Sequence, residues 1–173
     1  MDRPLRKAVF LDRDGTLMEE VNYCRRPEDV QVFPDAIDSL RRLHAAGFLC
    51  VIITNQAGIG RGYFSENDYH AVHAELLHQL APETIDGTYF CPDAPYAATD
   101  RRKPAPGMVL EAARDFGIDL SASYFVGDKT SDIECGARAG CRTILVETGY
   151  GAKESATPDC RVPNLTAAVD AIL

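Results

Sequence analysis

The chain has 173 residues, 46% of them hydrophobic, and a formal net charge of −8 at pH 7. A chain of this length can bury one sizeable core and leaves little room for a second independent domain. The acidic charge excludes a general electrostatic attraction to nucleic acid or to an anionic membrane, so an anionic ligand would need a local cluster of basic residues.

Short β-prone apolar runs alternate with segments of helical periodicity along the chain, which is the pattern of parallel βαβ units. The predicted elements, in chain order, are a strand over 7–12, a helix over 35–46, a strand over 48–53, a helix over 65–80, a strand over 87–91, a helix over 107–116, a strand over 124–127, a helix over 131–139, a strand over 143–146 and a closing helix around 165–172. We therefore predict a three-layer α/β fold with a doubly wound, mostly parallel, Rossmann-like sheet. Residues 1–173 would form one domain, and ligands should bind at the carboxyl ends of the strands.

Two carboxylates follow the first predicted strand, in the sequence FLDRDGT. Asp12 closes the strand and Asp14 lies two residues further on, so an extended backbone would place both side chains on the same side. Because close carboxylates repel each other, the pair indicates either a divalent metal site or a division into acid and base. The alternative interpretation is a simple turn after the strand, formed by Asp14 and Gly15.

The second predicted strand ends in a glycine-rich segment, TNQAGIGRG, over residues 54–62. Backbone N–H groups of such a loop can converge on an anion, and the Thr54 hydroxyl can donate to a phosphoryl oxygen. Asn55 and Gln56 follow Thr54, and we count them with it as candidates for binding phosphate or substrate. Arg61 could make a bidentate contact to a second phosphate or another anionic group. The alternative is an ordinary flexible loop.

Basic residues gather in the segment DRRKPAPGM of this otherwise acidic chain. Pro104 and Pro106 restrict the backbone there, so Lys103 could be held in a fixed place, with Arg102 directly before it. A run of charges is also typical of a solvated surface. The segment therefore indicates an anion site only in combination with the other motifs.

The strand predicted over 124–127 is followed by Asp128, and Lys129 and Asp132 stand at the start of the next predicted helix. Asp128 would join Asp12 at the sheet edge as an oxygen ligand for Mg²⁺, which proteins bind through few carboxylates together with water and substrate phosphate. Asp132 could instead cap the helix or hold Lys129, which is itself a candidate for phosphate binding. The segment predicts a magnesium site with Asp132 in a supporting position.

In their order and spacing, these four segments resemble the motifs of the haloacid dehalogenase (HAD) superfamily of phosphotransferases, and the match runs across nearly the whole chain. The resemblance implies that Asp12 is a nucleophile that forms an aspartyl-phosphate, and that Asp14 exchanges protons with the leaving group and the hydrolytic water. It also implies that Thr54 and Lys103 bind the transferring phosphoryl group. Mg²⁺ would be bound by Asp12, Asp128 and the main-chain carbonyl of Asp14.

Within this superfamily, the segments TNQAGIGRGYF and RKPAPGM resemble the branch that contains the heptose 1,7-bisphosphate and histidinol-phosphate phosphatases. This resemblance implies that Arg61 and Arg102 bind a distal phosphate and that Glu19, Asn22 and Tyr23 contact a sugar. The predicted elements fill the connections between the motifs and leave no room for an inserted cap domain. We therefore expect a capless enzyme with an open site. The resemblance implies that it removes the 7-phosphate of D-glycero-D-manno-heptose 1,7-bisphosphate.

Three alternatives to this activity remain open at the level of sequence. Histidinol phosphate is the substrate of the other phosphatase in the same branch. A polynucleotide 3′-phosphatase would have a similar glycine-rich loop and RKP segment, although the charge of −8 argues against it. A non-catalytic phosphate-binding module would be expected to lack Asp12 or Asp14, and both are present.

The segment CPDAPYAATDRRKP departs from the resembling branch, which usually has a zinc-binding loop at this place. Cys91 remains, but Asp93 stands at the histidine position, and Thr99 and Arg101 stand at the cysteine positions. Because one thiolate cannot form a closed tetrahedral site, we expect no structural zinc.

The six cysteines are scattered without a CxxC pair, no signal peptide precedes the first motif, and every apolar run is much shorter than the roughly 20 residues of a membrane helix. These features predict a soluble, cytoplasmic enzyme. We expect it to be a monomer that acts on a small phosphorylated metabolite, not on nucleic acid or at a membrane.

Overall fold

A parallel sheet with helices on both faces forms the protein. The computed structural model describes residues 4–97 and 99–173, which form six strands and six α-helices joined in places by short 3₁₀ turns. The strands are β1 (Lys7–Leu11), β2 (Phe48–Asn55), β3 (Gly87–Cys91), β4 (Tyr124–Gly127), β5 (Arg142–Val146) and β6 (Cys160–Val162). The helices are α1 (Ala36–Ala45), α2 (Ala57–Gly60), α3 (Glu66–Leu80), α4 (Gly107–Phe116), α5 (Thr130–Ala139) and α6 (Leu165–Ile172). This alternation confirms the predicted α/β class.

The sheet has the strand order β3-β2-β1-β4-β5-β6, and all neighbouring strands are parallel. The chain winds outwards from β1 in one direction through β2 and β3, and in the other direction through β4 to β6. β1 and β4 are therefore neighbours at the point where the winding reverses, which is where doubly wound sheets bind ligands. Leu11 pairs with both Ile52 and Val126, so β1, β2 and β4 end side by side.

The alternation of side chains along the strands separates two hydrophobic cores, one on each face of the sheet. Val9 and Leu11 pack with α1, α3 and α6, whereas Ala8 and Phe10 pack with α4 and α5. Because helices cover both faces, β2 is a nearly continuous apolar run instead of an alternating one. None of the helices in the described residues combines the length and apolar character needed to cross a membrane.

Local signals set the ends of two helices that position the site. Ser65 and Asp68 form the predicted capping box of α3: Ser65 Oγ accepts a hydrogen bond from the Asp68 N–H, and the Asp68 carboxylate accepts one from the Ser65 N–H. α4 ends at Gly117, which takes the left-handed conformation with a φ of +65°. Both boundaries agree with the sequence prediction.

Two elements were not predicted from the sequence. β6 is only three residues long and lies at the sheet edge with Arg161 at its centre, so it shows no apolar alternation. α2 forms inside the glycine-rich segment that was interpreted as a loop, because main-chain hydrogen bonds such as Arg61 N–H to Ala57 O close a helical turn there. The consequence for anion binding is described below.

Candidate active site

A cavity of about 450 Å³ opens at the carboxyl ends of β1, β2 and β4. Its walls combine carboxylates, cations and amides from motifs that are far apart in the sequence. The predicted site residues that line it are Asp12, Asp14, Asn22, Tyr23, Asn55, Gln56, Arg61, Arg102, Lys103, Lys129 and Asp132. Thr54 and Asp128 are buried beside them. The fold thus brings together all four sequence motifs at one edge of the sheet.

Lys103 forms the central ion pairs of the cavity. Its Nζ donates to Asp12 Oδ1 at 2.9 Å, to Asp132 Oδ1 at 2.7 Å and to the Ile53 main-chain carbonyl at 2.8 Å. Burial would lower the pKa of Lys103, but the two carboxylates outweigh it and raise this pKa. Burial would also raise the pKa of Asp12, yet Lys103 and the other groups around it hold this pKa below its ordinary value. Asp12 is therefore ionised and fixed in orientation.

Asp128 has the properties of a metal ligand. Oxygens of Asp12, Asp128 and Asp132 lie within 4.8 Å of one another. Asp128 Oδ2 accepts a hydrogen bond from the Tyr150 N–H at 3.0 Å, whereas Oδ1 is buried and has no partner among the described residues. Burial, followed by the charges of Asp12 and Asp132, raises the pKa of Asp128 to about 9. An unpartnered buried oxygen among carboxylates fits a hard divalent cation such as Mg²⁺.

Asp132 has both of its oxygens occupied by other contacts. Oδ1 pairs with Lys103, and Oδ2 accepts from the Lys129 N–H at 3.1 Å at the start of α5. The helix-capping interpretation of Asp132 is thus confirmed, and the ion pair with Lys103 is an additional role. The main-chain carbonyl of Asp14 accepts no hydrogen bond within the described part of the chain. Asp12, Asp128 and this carbonyl are therefore the groups best suited to hold a cation.

The loop after β5 fixes the orientation of Asp128. Gly15 and Gly149 both lie against Asp128 Oδ2, and a Cβ atom at either position would overlap it. Thr148 joins the two segments, since its Oγ1 donates to the Gly15 carbonyl at 2.6 Å. This loop was not among the sequence predictions. Its position after a predicted strand is the signal that could have identified it.

We expect Gly149→Ala to weaken Mg²⁺ binding by about 10- to 100-fold, the usual effect of disturbing a group that orients a metal ligand. Gly117→Ala is a matched control, because Gly117 also has a positive φ (+65° against +56° for Gly149) but open space around it. Both variants should lose about 1 to 2 kcal/mol of stability through backbone strain, and Gly149→Ala should lose more because its Cβ also overlaps Asp128 Oδ2. Only Gly149→Ala should lose the rise in melting temperature that Mg²⁺ causes. Equal Mg²⁺ responses in the two variants would contradict this role of the loop.

The Asp14 carboxylate shares the cavity with Asp12 but is directed towards Arg13 and Gln56. Arg13 Nε donates to Asp14 Oδ2 at 3.0 Å, and Arg13 Nη2 donates to Oδ1 at 3.1 Å. Gln56 Nε2 donates to Oδ2 at 3.2 Å. The third carboxylate of the buried cluster is Asp132 and not Asp14, whose oxygens are held by Arg13 and Gln56. Asp12 and Asp14 nevertheless line the same cavity, as the sequence predicts.

The polar residues at the end of β2 hold the site together. Thr54 Oγ1 accepts from Gln56 Nε2 at 2.8 Å, so Gln56 connects Thr54 with Asp14. Asn55 Nδ2 donates to the Lys103 carbonyl at 3.1 Å, and Asn55 Oδ1 accepts from the Lys103 N–H at 3.0 Å. Asn55, which the sequence predicts as a substrate contact, lines the cavity and uses its amide to fix the backbone of Lys103.

The prediction that backbone N–H groups of the glycine-rich segment converge on an anion is wrong for its second half. The N–H groups of residues 59–62 all donate to carbonyls within the protein. The glycines allow close packing instead, because a Cβ at Gly58 would overlap the Phe64 ring and one at Gly60 would overlap the Pro92 carbonyl. Glycine content alone could not distinguish a phosphate loop from a tightly packed helical turn.

Three further cations, Arg61, Arg102 and Lys129, line the cavity together with Lys103. Arg61 is exposed, and Arg102 Nη1 donates to the Asp93 carbonyl at 3.0 Å. Lys129 Nζ lies 5.0 Å from the centroid of the Tyr150 ring. The acidic chain thus has the local basic cluster that an anionic ligand requires.

The loop after β1 presents Glu20 to the cavity and not Glu19. Glu19 is exposed and outside the lining, whereas Glu20 lines the cavity and accepts the Asn22 N–H at 2.9 Å through Oε1. Asn22 and Tyr23 line the cavity as predicted, with φ values of +52° and +60°. Both residues have a left-handed backbone conformation, and the sequence contains no signal for which of two adjacent glutamates faces inwards.

The segment that departs from a zinc-binding pattern is held by hydrogen bonds. Asp93 Oδ2 accepts from the Cys91 thiol at 3.2 Å and from the Thr99 hydroxyl at 2.6 Å. Arg101 Nε donates to Glu111 Oε2 at 2.6 Å. Asp93 anchors this loop, and the expectation of no structural zinc stays a prediction.

Comparisons with known proteins agree with this geometry. The family described as HAD-hydrolase-like matches residues 100–168. The chain is 43% identical to the D-glycero-D-manno-heptose-1,7-bisphosphate 7-phosphatase of Thermosynechococcus vestitus, over 95% of this chain and 94% of the relative. It is 44% identical to the D-glycero-alpha-D-manno-heptose-1,7-bisphosphate 7-phosphatase of Burkholderia mallei, over 87% and 85%. Among solved structures, it resembles the D,D-heptose 1,7-bisphosphate phosphatase of B. bronchiseptica complexed with magnesium and phosphate, with a TM-score of 0.87, 32% identity and coverage of 96% of this chain and 97% of that chain.

Proposed function

The chain belongs to the HAD-like hydrolases, in the family of the heptose 1,7-bisphosphate phosphatases, and from this premise we propose that it removes the 7-phosphate of D-glycero-D-manno-heptose 1,7-bisphosphate in a magnesium-dependent reaction. The observation that carries the proposal is a buried, ionised Asp12, clamped by Lys103 beside Asp128 in an open cavity. A site that only bound anions would not place carboxylates at its centre, whereas nucleophilic attack on phosphorus with a bound cation uses one carboxylate as the nucleophile and another as a metal ligand.

The reaction proceeds in two displacements. In the first, a carboxylate oxygen of Asp12 attacks phosphorus, the bond to the ester oxygen breaks, and protonated Asp14 gives its proton to the leaving alkoxide. An aspartyl-phosphate remains on Asp12. In the second, Asp14 takes a proton from water while the water oxygen attacks phosphorus, which restores Asp12 and releases inorganic phosphate. Two displacements with a positioned nucleophile replace one difficult attack by water.

The surrounding groups stabilise the transferring phosphoryl group. We propose that Lys103, which contacts the nucleophile Asp12, and the Thr54 hydroxyl at the end of β2 bind its oxygens. Asp12, Asp128 and the main-chain carbonyl of Asp14 would hold Mg²⁺, which would supply positive charge against the negative charge of the same group. Acid–base catalysis supplies about 10²- to 10⁴-fold, and phosphate-monoester hydrolysis is accelerated by up to about 10²¹-fold. Most of the acceleration must therefore come from the fixed charges around Asp12.

The cavity shape supports a substrate with a second anionic group. No inserted domain covers the cavity in the described residues, so the far end of a substrate can reach Arg61 and Arg102 in its lining. Arg61 and Arg102 offer a place for a distal phosphate, since guanidinium groups bind phosphate through paired donors. Glu20 and Asn22 offer polar groups for sugar hydroxyls between the two phosphates.

The substrate assignment is tested by comparing kcat/KM for both anomers of heptose 1,7-bisphosphate, for histidinol phosphate and for a 3′-phosphorylated oligonucleotide. We expect a heptose bisphosphate to be preferred by about 10- to 100-fold, the value of one charge-assisted contact to the distal phosphate. Arg102→Met should reduce this preference while retaining turnover of histidinol phosphate. A preference of the unaltered enzyme for histidinol phosphate or the oligonucleotide would overturn the assignment.

We infer that the enzyme works as a cytoplasmic monomer, with residues 1–173 as one hydrolase domain. The six free cysteines support a reducing compartment. The negative net charge supports a small phosphorylated metabolite as the partner instead of a nucleic acid or a membrane.

A further inference from the structure

We propose that Arg13 is a positioning residue that sets the orientation of Asp14 for proton transfer, an inference that rests on the proposed function. The Arg13 side chain is only 1% exposed, although it lies in the loop that leaves β1. Its Nε and Nη2 contact the two oxygens of Asp14 side by side, which is the paired geometry that a guanidinium group offers to a carboxylate. Such a contact fixes both the position and the rotation of the Asp14 carboxylate.

The burial of Arg13 is poorly explained by stability alone. Its Nη1 has no hydrogen-bond partner in the described part of the chain, so part of the charge is desolvated without compensation. Burial would lower the pKa of Arg13, but Asp14 outweighs it and raises this pKa, so the side chain stays charged. Buried ion pairs are often no more stabilising than apolar side chains of the same size. A buried cation in this place therefore indicates a role in the site.

An aromatic stack from another part of the fold holds Arg13. The Tyr69 ring of α3 lies 5.7 Å from Arg13 Cζ, within the range of a cation–π contact. Tyr69 itself stacks on Phe90 at 4.2 Å and on His73 at 5.7 Å. The guanidinium group is thus fixed by residues of α3 and β3, and its paired contact in turn fixes the Asp14 carboxylate.

The hydrogen bonds distinguish the two oxygens of Asp14. Oδ2 accepts from both Arg13 Nε and Gln56 Nε2, whereas Oδ1 accepts only from Arg13 Nη2. A carboxylate oxygen has about two acceptor positions, so Oδ2 is saturated and Oδ1 has one position free. Oδ1 is therefore the oxygen that gives the proton to the leaving group and takes it from water. Without Arg13, this selection would be lost.

The test separates proton transfer from the other parts of the reaction by changing the leaving group. The 7-phosphate of heptose 1,7-bisphosphate leaves an alkoxide that needs a proton, whereas p-nitrophenyl phosphate leaves a stable phenolate that does not. We expect Arg13→Met to lower kcat/KM for the heptose bisphosphate by about 10²-fold, the lower range for loss of acid–base catalysis, and to change kcat/KM for p-nitrophenyl phosphate much less. For the heptose bisphosphate, kcat/KM of Arg13→Lys should lie between those of the unaltered enzyme and Arg13→Met, because one ammonium group keeps the charge but not the paired contact.

A double variant shows whether Arg13 acts through Asp14. Arg13→Met combined with Asp14→Asn should be no slower than Asp14→Asn alone, since residues that act as one unit are not additive. Arg42→Met is the matched control, because Arg42 forms an exposed ion pair with Asp170 at 2.7 Å and should leave both substrates unaffected. Melting temperatures of all variants identify any loss of fold, in which case Arg13→Gln, which keeps a planar donor, replaces Arg13→Met.

The outcomes are distinguishable. Equal losses for both substrates, or losses that add in the double variant, would overturn the positioning role of Arg13. If Asp14→Asn itself retained full activity on the heptose bisphosphate, the proposed mechanism would fail. If Asp14→Asn were inactive while Arg13→Met kept normal activity, only the inference about Arg13 would fail.

Discussion

Asp12→Asn is expected to lower the magnesium-dependent phosphatase activity by about 10⁴-fold or more, because the amide cannot attack phosphorus and no second carboxylate can replace it. Asp132 is occupied by Lys103 and Lys129, and Asp128 is fixed by the loop after β5. The measurement is steady-state turnover together with acid-quenched protein, in which labelled phosphate should remain attached to the unaltered enzyme and be absent from Asp12→Asn. Turnover within tenfold of the unaltered enzyme would exclude Asp12 as the nucleophile.

This variant should remain folded. Asparagine has nearly the same shape as aspartate and can still accept a hydrogen bond from Lys103, and it removes a negative charge from a cluster of buried carboxyl groups. Asp170→Asn is the matched control, since Asp170 is an exposed partner of Arg42 outside the cavity. Both variants should melt within a few degrees of the unaltered protein, and only Asp12→Asn should be inactive.

Lys103→Met is expected to have the largest combined effect on stability and activity. Removing Lys103 leaves Asp12 and Asp132 buried without their cation, and breaking a buried ion pair in this way typically costs about 3 to 5 kcal/mol. For a domain of this size the loss corresponds to roughly 10 °C in melting temperature. Activity should be lost as well, because the same ammonium group orients Asp12. Lys153→Met, at an exposed position, is the control and should change neither quantity.

The stability loss should depend on pH in a defined direction. The pKa of Asp128 is raised from its ordinary value of 3.8 to about 9, and that of Asp132 to about 6, in both cases by burial first. A carboxyl group whose pKa is higher in the folded state binds its proton more tightly there, so it lowers stability as pH rises through this range. Without Lys103, ionisation of these buried carboxyl groups lowers the stability of the folded protein further. Lys103→Met should therefore be closest to the unaltered protein at low pH and furthest from it near pH 9, when both are measured without Mg²⁺.

A compensating substitution separates the structural role of Lys103 from its catalytic role. Lys103→Met combined with Asp132→Asn removes one positive and one negative charge, and it should recover much of the melting temperature. Activity should not recover, because Asp12 still lacks its partner. Recovery of both stability and activity would contradict the proposed contact of Lys103 with the phosphoryl group.

The local residue pattern was sufficient to predict the fold class, most of the helices and strands, and the place of the site. Apolar periodicity and capping residues such as Ser65 act over a few neighbours, so they are visible along the chain. Because the carboxyl ends of parallel strands meet at one edge, Asp12, Thr54 and Asp128 could be assigned to one site before any distance was known. The short edge strand β6 could not be predicted, because three residues are too few to show a periodic pattern.

What only the tertiary structure decided is which groups each side chain contacts. Two hydrogen bonds between the Asn55 amide and the Lys103 backbone join residues that are distant in sequence, and no local pattern encodes them. The inward-facing Glu20 lies in a loop with two left-handed residues, Asn22 and Tyr23, which no periodic pattern predicts. The pairing of Arg13 with Asp14 depends on Tyr69 of α3. Sequence thus determined the chemical groups and the sheet edge where they meet, whereas hydrogen bonds and packing between distant elements determined their orientation.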